Sequence, residues 1–300
     1  MLVQVNAGAS SLEGEDRLIA ALQSSTRLNA VTVMTHGYRF SPQVGDIRNP
    51  HRHILTDGPV PNCWKAVSWP RHLRIGRSET LGVALGWPAL GSLGQAYRRA
   101  EQAGAALARI ARIVAAQRPD LPVNVMAHSL GARVALSALP LLPEGALSRL
   151  ILLSGAEYRG AATRALASPA GRGVRVVNVA TQENLPFDLA FRALIRPRHW
   201  TDWPLAAGLA EDRPNWLDLR IDCPRQIDRL NEIGFRLRPP VGRYCHWSGY
   251  MRPGVFGLYR ALLSERGDAV FARMRAALAE DRQRTGQTEI QGPGGVATRV

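Results

Sequence analysis

The chain has 300 residues, 46% of them apolar and 21% charged, and a formal net charge of +14. That length holds one large α/β domain or two small ones, and no charge-free apolar run approaches a membrane span. The opening Met1-Leu2-Val3-Gln4-Val5-Asn6 lacks a leader's basic and apolar regions, and Cys63, Cys223 and Cys245 are widely spaced; we therefore expect a cytoplasmic protein with reduced thiols, no integral membrane association, no disulfide framework and no zinc site.

Residues 2–6 read as a first strand, and Ser11 to Gln23 carries apolar positions at helical spacing. Ala30-Val31-Thr32-Val33-Met34-Thr35 is a buried strand that runs into His36-Gly37-Tyr38. Residues 43–62 form a long loop whose His51-Arg52-His53 lacks carboxylate or cysteine partners at ligand spacing, so no metal is expected there. Residues 64–70 form a short structured excursion, and 81–88 a buried strand ending at Gly86-Trp87-Pro88. Tyr97, Ala100, Ala103, Leu107, Ile110 and Val114 then give a long amphipathic helix that ends near Arg118-Pro119.

The next strand, Val123-Asn124-Val125-Met126, stops at Ala127-His128-Ser129-Leu130-Gly131, and a helical period follows at once. A buried strand, a sharp turn presenting a serine, and a helix beginning beneath it make a nucleophile elbow, with Ala127 where the usual pattern has glycine. A serine of this kind needs a base, and the base needs a partner that fixes its tautomer. His246 follows the last expected strand, 217–222, and is the best base; His128 adjoins the serine and is expected to point away from it. For the acid, Glu183 in the loop after strand 174–180 comes first, Asp188 second, and Glu157 after strand 149–153 third. The backbone amides of Tyr38 and Leu130 are the expected oxyanion donors.

Helices near 255–263 and 269–278 close the domain, and 281–300 is polar, glycine-rich and expected to be a disordered tail. Strands alternating with helices imply a largely parallel sheet covered on both faces, within a single domain over 1–280. Residues 185–216, with Phe187, Phe191, Trp200, Trp203 and Trp216, break the alternation as a cap over the site or a peripheral insertion.

Lys65 is the only lysine, and the arginines are scattered. Their densest cluster, Arg192, Arg196, Arg198 and His199, has neither motif nor repeat, so the charge does not call for a nucleic-acid partner.

The strand–His36-Gly37 loop, the Ala-His-Ser-Leu-Gly elbow, the carboxylate after a strand and the late histidine together resemble the α/β-hydrolase superfamily. More narrowly, Gly86-Trp87-Pro88, the alanine-rich helix and the elbow look like bacterial lipase/esterase-like hydrolases. The resemblance implies an α/β-hydrolase-like, mostly parallel sheet of about eight strands with helices on both faces. It also implies a serine hydrolase that cleaves a small-molecule ester or thioester through an acyl-enzyme, without metal or organic cofactor. The alternative is a catalytically inactive binding module of the same fold, and the oligomeric state is left open.

Overall fold

A computed structural model describes residues 1–289 except 9, 10, 26, 61 and 241, with the backbone alone over 280–289. The first half of the chain holds β1 (Leu2–Ala7), β2 (Leu12–Glu13), α1 (Glu15–Ser24), β3 (Ala30–Thr35), α2 (Trp69–His72), β4 (Thr80–Gly86), α3 (Leu93–Gln117), β5 (Val123–His128) and α4 (Gly131–Ala138). The second half holds β6 (Arg149–Leu153), α5 (Arg159–Leu166), α6 (Pro169–Gly173), β7 (Arg175–Ala180), α7 (Leu185–Leu194), β8 (Trp216–Arg220), α8 (Pro224–Glu232), α9 (Ser248–Met251), α10 (Val255–Leu263) and α11 (Gly267–Glu289).

The eight strands form one sheet in the order β2-β1-β4-β3-β5-β6-β7-β8. Only the two-residue β2 runs antiparallel to its neighbour; the other pairings are parallel. Side chains of a strand point alternately to opposite faces. Val125 and Ala127 of β5 therefore join the core beneath α1, α3, α4 and α5, whereas Met126 joins the core beneath α8, α10 and α11. Both faces are covered, which is why these strands read as continuous apolar runs rather than alternating ones.

The register sets the site. Thr35 pairs with Ala127, His128 with Leu153, and Leu153 with Val179, so β3, β5, β6 and β7 end together at one edge. In open parallel sheets the loops at that edge carry function. Among the described residues no helix is long and apolar enough to cross a membrane.

Three boundaries differ from the sequence expectation: the helix expected from Ser11 starts only at Glu15, after the two-residue β2, and two later helices differ as follows. Helix α3 starts at Leu93, not Tyr97, because Ser92 caps it: its hydroxyl accepts from the Gln95 amide and the Gln95 side chain accepts from the Ser92 amide. Helix α11 runs on to Glu289, beyond the expected start of a tail at 281; Glu280, Arg282, Gln283 and Arg284 are good helix formers with no breaker before Gly286. The rest of that expected tail, 290–300, lies outside the described residues.

Candidate active site

Ser129 stands between β5 and α4 with φ of 55°, a left-handed conformation that costs a non-glycine residue about 1–2 kcal/mol. The surroundings hold it there. Its amide donates to Leu153 O at 2.9 Å, and its carbonyl accepts from Ala132 and Ala156, each at 3.0 Å. Two glycines make room. A Cβ on Gly131 would stand 2.7 Å from His36 O, and one on Gly37 would stand 2.6 Å from Ser129 Cβ. Gly37 is thus required for close approach to the serine rather than for a left-handed backbone, since its φ is not positive. Arg39 (φ 69°) and Ser154 (φ 45°) are also left-handed and line the same cavity as Ser129. Strained residues gather where loops must aim groups at a ligand.

Among the described residues the amides of Tyr38 and Leu130 donate to no acceptor, and both residues line that cavity. The Tyr38 amide is aimed from behind. His36 is fully buried, stacked on Trp87 with ring centroids 5.2 Å apart. Its Nε2 accepts from the Trp87 amide at 3.1 Å, so Nδ1 carries the proton and donates to Gly37 O at 2.8 Å. In a trans peptide the carbonyl and the next N–H point opposite ways. Fixing Gly37 O on His36 therefore turns the Tyr38 N–H away from His36. Burial holds His36 down to about 3, so this neutral arrangement persists through the physiological range.

His246 lies in the loop before α9 and lines the cavity with Ser129, without a hydrogen bond to the serine among the described contacts. Its Nδ1 is 2.6 Å from Asn184 Oδ1, and Asn184 Nδ2 donates to Asp188 Oδ1 at 2.9 Å. Asp188 needs the amide's N–H side, which leaves the amide oxygen for His246. Nδ1 therefore carries the proton, and Nε2 keeps its lone pair. The ring is held between Phe187, stacked at 4.7 Å, and His128 at 4.6 Å. Burial first, then the neighbouring His128 and Lys65, hold His246 well below its ordinary value. Asp188 is pushed the other way, up to about 7, chiefly by burial; Asn184 and Arg220 oppose the shift.

The sequence candidates for the acid are placed differently from expectation. Glu183 does not meet His246. Its carboxylate pairs with the Arg252 guanidinium and accepts from Thr181 Oγ1 at 3.1 Å, while its carbonyl accepts from the Cys245 amide at 2.8 Å. It clamps the loop that carries His246. Glu157 is buried between Arg133 and Tyr97, 2.5 Å and 2.6 Å away, and ties α3 and α4 to the loop after β6. Asp188 reaches His246 only through Asn184. Asn184, beside Glu183 in the same loop, carries no local signal that distinguishes it as the partner of His246. His128 also departs from expectation. It faces the cavity, and its Nε2–H donates to His246 O at 2.9 Å. Strand alternation puts His128 on the Met126 face of β5, where it packs edge-on against Tyr250 at 5.2 Å.

The cavity measures about 650 Å³ and is lined chiefly by apolar groups. Helix α7, from the segment 185–216, supplies Phe187, Asp188, Phe191 and Leu194 to its wall. Of the other aromatic residues in that segment, Trp216 is buried, whereas Trp200 and Trp203 are exposed. Among the described residues no cluster of three His, Cys, Asp or Glu side chains could hold a metal ion. His51 Nε2 instead meets Asn6 Oδ1 at 2.7 Å, and His53 packs edge-on against Phe40.

Residues 10–148 match the model of a family described as "Alpha/beta hydrolase of unknown function (DUF900)". No curated protein matches the chain. Among solved structures the chain is similar to a Trichoderma reesei cutinase in complex with a phosphonate inhibitor, at 20% identity and a TM-score of 0.28. That match covers 48% of this chain and 61% of the cutinase chain. It is also similar to an acetylxylan esterase, at 14% identity and a TM-score of 0.35, over 84% of this chain and 99% of that one. Likenesses as remote as these say nothing about substrate.

Proposed function

Taking the chain as a member of the α/β-hydrolase superfamily, we propose that it is a serine hydrolase acting on an ester or thioester through an acyl-enzyme. One observation carries the reading: a left-handed serine, two unpaired amides and a histidine of defined tautomer all border one cavity. In the proposed reaction, Ser129 Oγ attacks the acyl carbon while His246 Nε2 takes its proton. The amides of Tyr38 and Leu130 stabilise the oxyanion, each by roughly 3 kcal/mol. Collapse of the tetrahedral intermediate expels the alcohol or thiol, which receives the proton from His246. Water, deprotonated by the same nitrogen, then releases the acid and restores Ser129.

Asn184 takes the orienting role expected of a carboxylate. It fixes the His246 tautomer, and the charge of Asp188 acts on His246 through the amide. An amide stabilises the imidazolium less than a direct carboxylate would. The prediction is a competent but slowed triad.

Labelling with a fluorophosphonate, read by intact mass and peptide mapping, tests the proposal. We expect a single adduct on Ser129 that is lost in His246→Ala. A folded protein that takes up no label would support the alternative of an inactive binding module.

A further inference from the structure

The wall of the Ser129 cavity is apolar over most of its extent, yet Arg39, Arg48 and Lys65 line it too. Arg48 is neutralised by Asp46 at 2.6 Å. Neither Arg39 nor Lys65 has a carboxylate within ion-pair distance among the described residues. Lys65 is held by aromatic faces instead: its Nζ lies 3.8 Å from the Trp247 ring centroid and 5.4 Å from that of Trp64. The two indoles meet edge to face at 5.1 Å. Aromatic rings position an ammonium group without cancelling its charge. That charge is felt inside the cavity, for it helps to hold down His53 on one side and His246 on the other. Among the described residues the only carboxylate on the cavity wall, Asp188, is engaged by Asn184.

A cation left without a counter-charge on a low-dielectric wall favours a ligand that brings one. We propose that Lys65 forms an anion subsite, so that the substrate is an ester or thioester joining an apolar portion to a carboxylate or phosphate group. The inference rests on the reading of Ser129 as nucleophile for the word substrate, but the subsite itself stands on the cavity wall alone. The anion's place beside Trp247 puts it on the His246 side of the cavity, whose wall also carries the apolar Phe187, Phe191 and Leu194.

Isothermal titration calorimetry with octanoate, octyl phosphate and octanol tests the subsite without any turnover. The wild-type protein is expected to bind at least one of the two anions about 10-fold or more tightly than octanol, the gain of a charge-assisted contact. The tighter of the two identifies the carboxylate or phosphate source. Lys65→Gln should bring anion and alcohol to within about 3-fold of each other, while Lys65→Arg should retain the preference. Octanol binding as tightly as both anions, a preference that survives Lys65→Gln, or no binding of either anion at millimolar concentration would each overturn the subsite. Fluorophosphonate labelling separates this outcome from failure of the hydrolase reading, since a protein that binds octanoate through Lys65 but takes no label keeps the subsite and loses the nucleophile.

Discussion

The two sides of the cavity are built on different principles. On the serine side, the elbow and the 36–38 loop are fixed by backbone geometry: a left-handed Ser129, glycines where no Cβ fits, and a carbonyl pinned by His36. On the histidine side, the arrangement is fixed by side chains that are distant in sequence. Asn184 meets His246 across 62 positions, and Glu183 meets Arg252 across 69. Steric demands of a tight turn leave a local signature of small residues, whereas a hydrogen-bonded network leaves none.

The contrast can be tested by removing one member of the histidine side at a time. Asn184→Leu should have the largest effect on chemistry, lowering kcat by about 10²–10⁴-fold, since the tautomer of His246 is no longer fixed. The exchange Asn184→Asp/Asp188→Asn moves the carboxylate onto His246 and should retain or raise kcat. A deep loss in that double variant would show that the amide is needed for itself.

Glu183→Gln should act on stability instead. The carboxylate and guanidinium are both buried, and leaving Arg252 without its partner is expected to cost about 3 kcal/mol. Denaturant unfolding would read that loss, with kcat under native conditions changed far less than in Asn184→Leu. A fall in kcat as large as that of Asn184→Leu, at unchanged stability, would return Glu183 to the chemistry.

The smallest effect concerns pH. Because Asp188 sits near 7 and His246 well below its ordinary value, the acid limb of kcat should inflect near pH 7 and report Asp188. Activity falls below that point, as Asp188 takes up its proton and no longer acts on Asn184. Asp188→Asn should erase this inflection in a pH–rate profile. The linkage runs the opposite way for folding: a carboxylate whose pKa is raised on folding favours the folded state while protonated, and that contribution is lost as pH rises through about 7.

The same contrast explains what could be read in advance. The seven longer strands follow from apolar runs of the right length, and the largely parallel sheet from their alternation with helices, whereas the count of about eight strands comes from the resemblance to α/β-hydrolases. The two-residue β2 is too short to leave a pattern. The start of α3 is legible in the capping box Ser92–Gln95, whereas its apolar period begins only at Tyr97. Ser129, Tyr38 and Leu130 are legible in local context and His246 in its place after the last expected strand, and all four line one cavity. Asn184 is not legible, because nothing in Thr181-Gln182-Glu183-Asn184 says which side chain turns toward residue 246. That choice is made by Arg252, whose guanidinium engages Glu183 and leaves the next residue to meet the imidazole.

The solitary Lys65 has a consequence for handling the protein. A lysine-specific protease meets one cleavable bond in the whole chain, Lys65–Ala66, between β3 and α2. A nick there would divide the protein into a fragment bearing Tyr38 and a fragment bearing Ser129, Leu130 and His246. The two pieces would remain joined through the ladders of β1 with β4 and of β3 with β4 and β5. One donor of the proposed oxyanion pair would then belong to each piece, and the proposed hydrolysis would become a direct gauge of fragment reassembly.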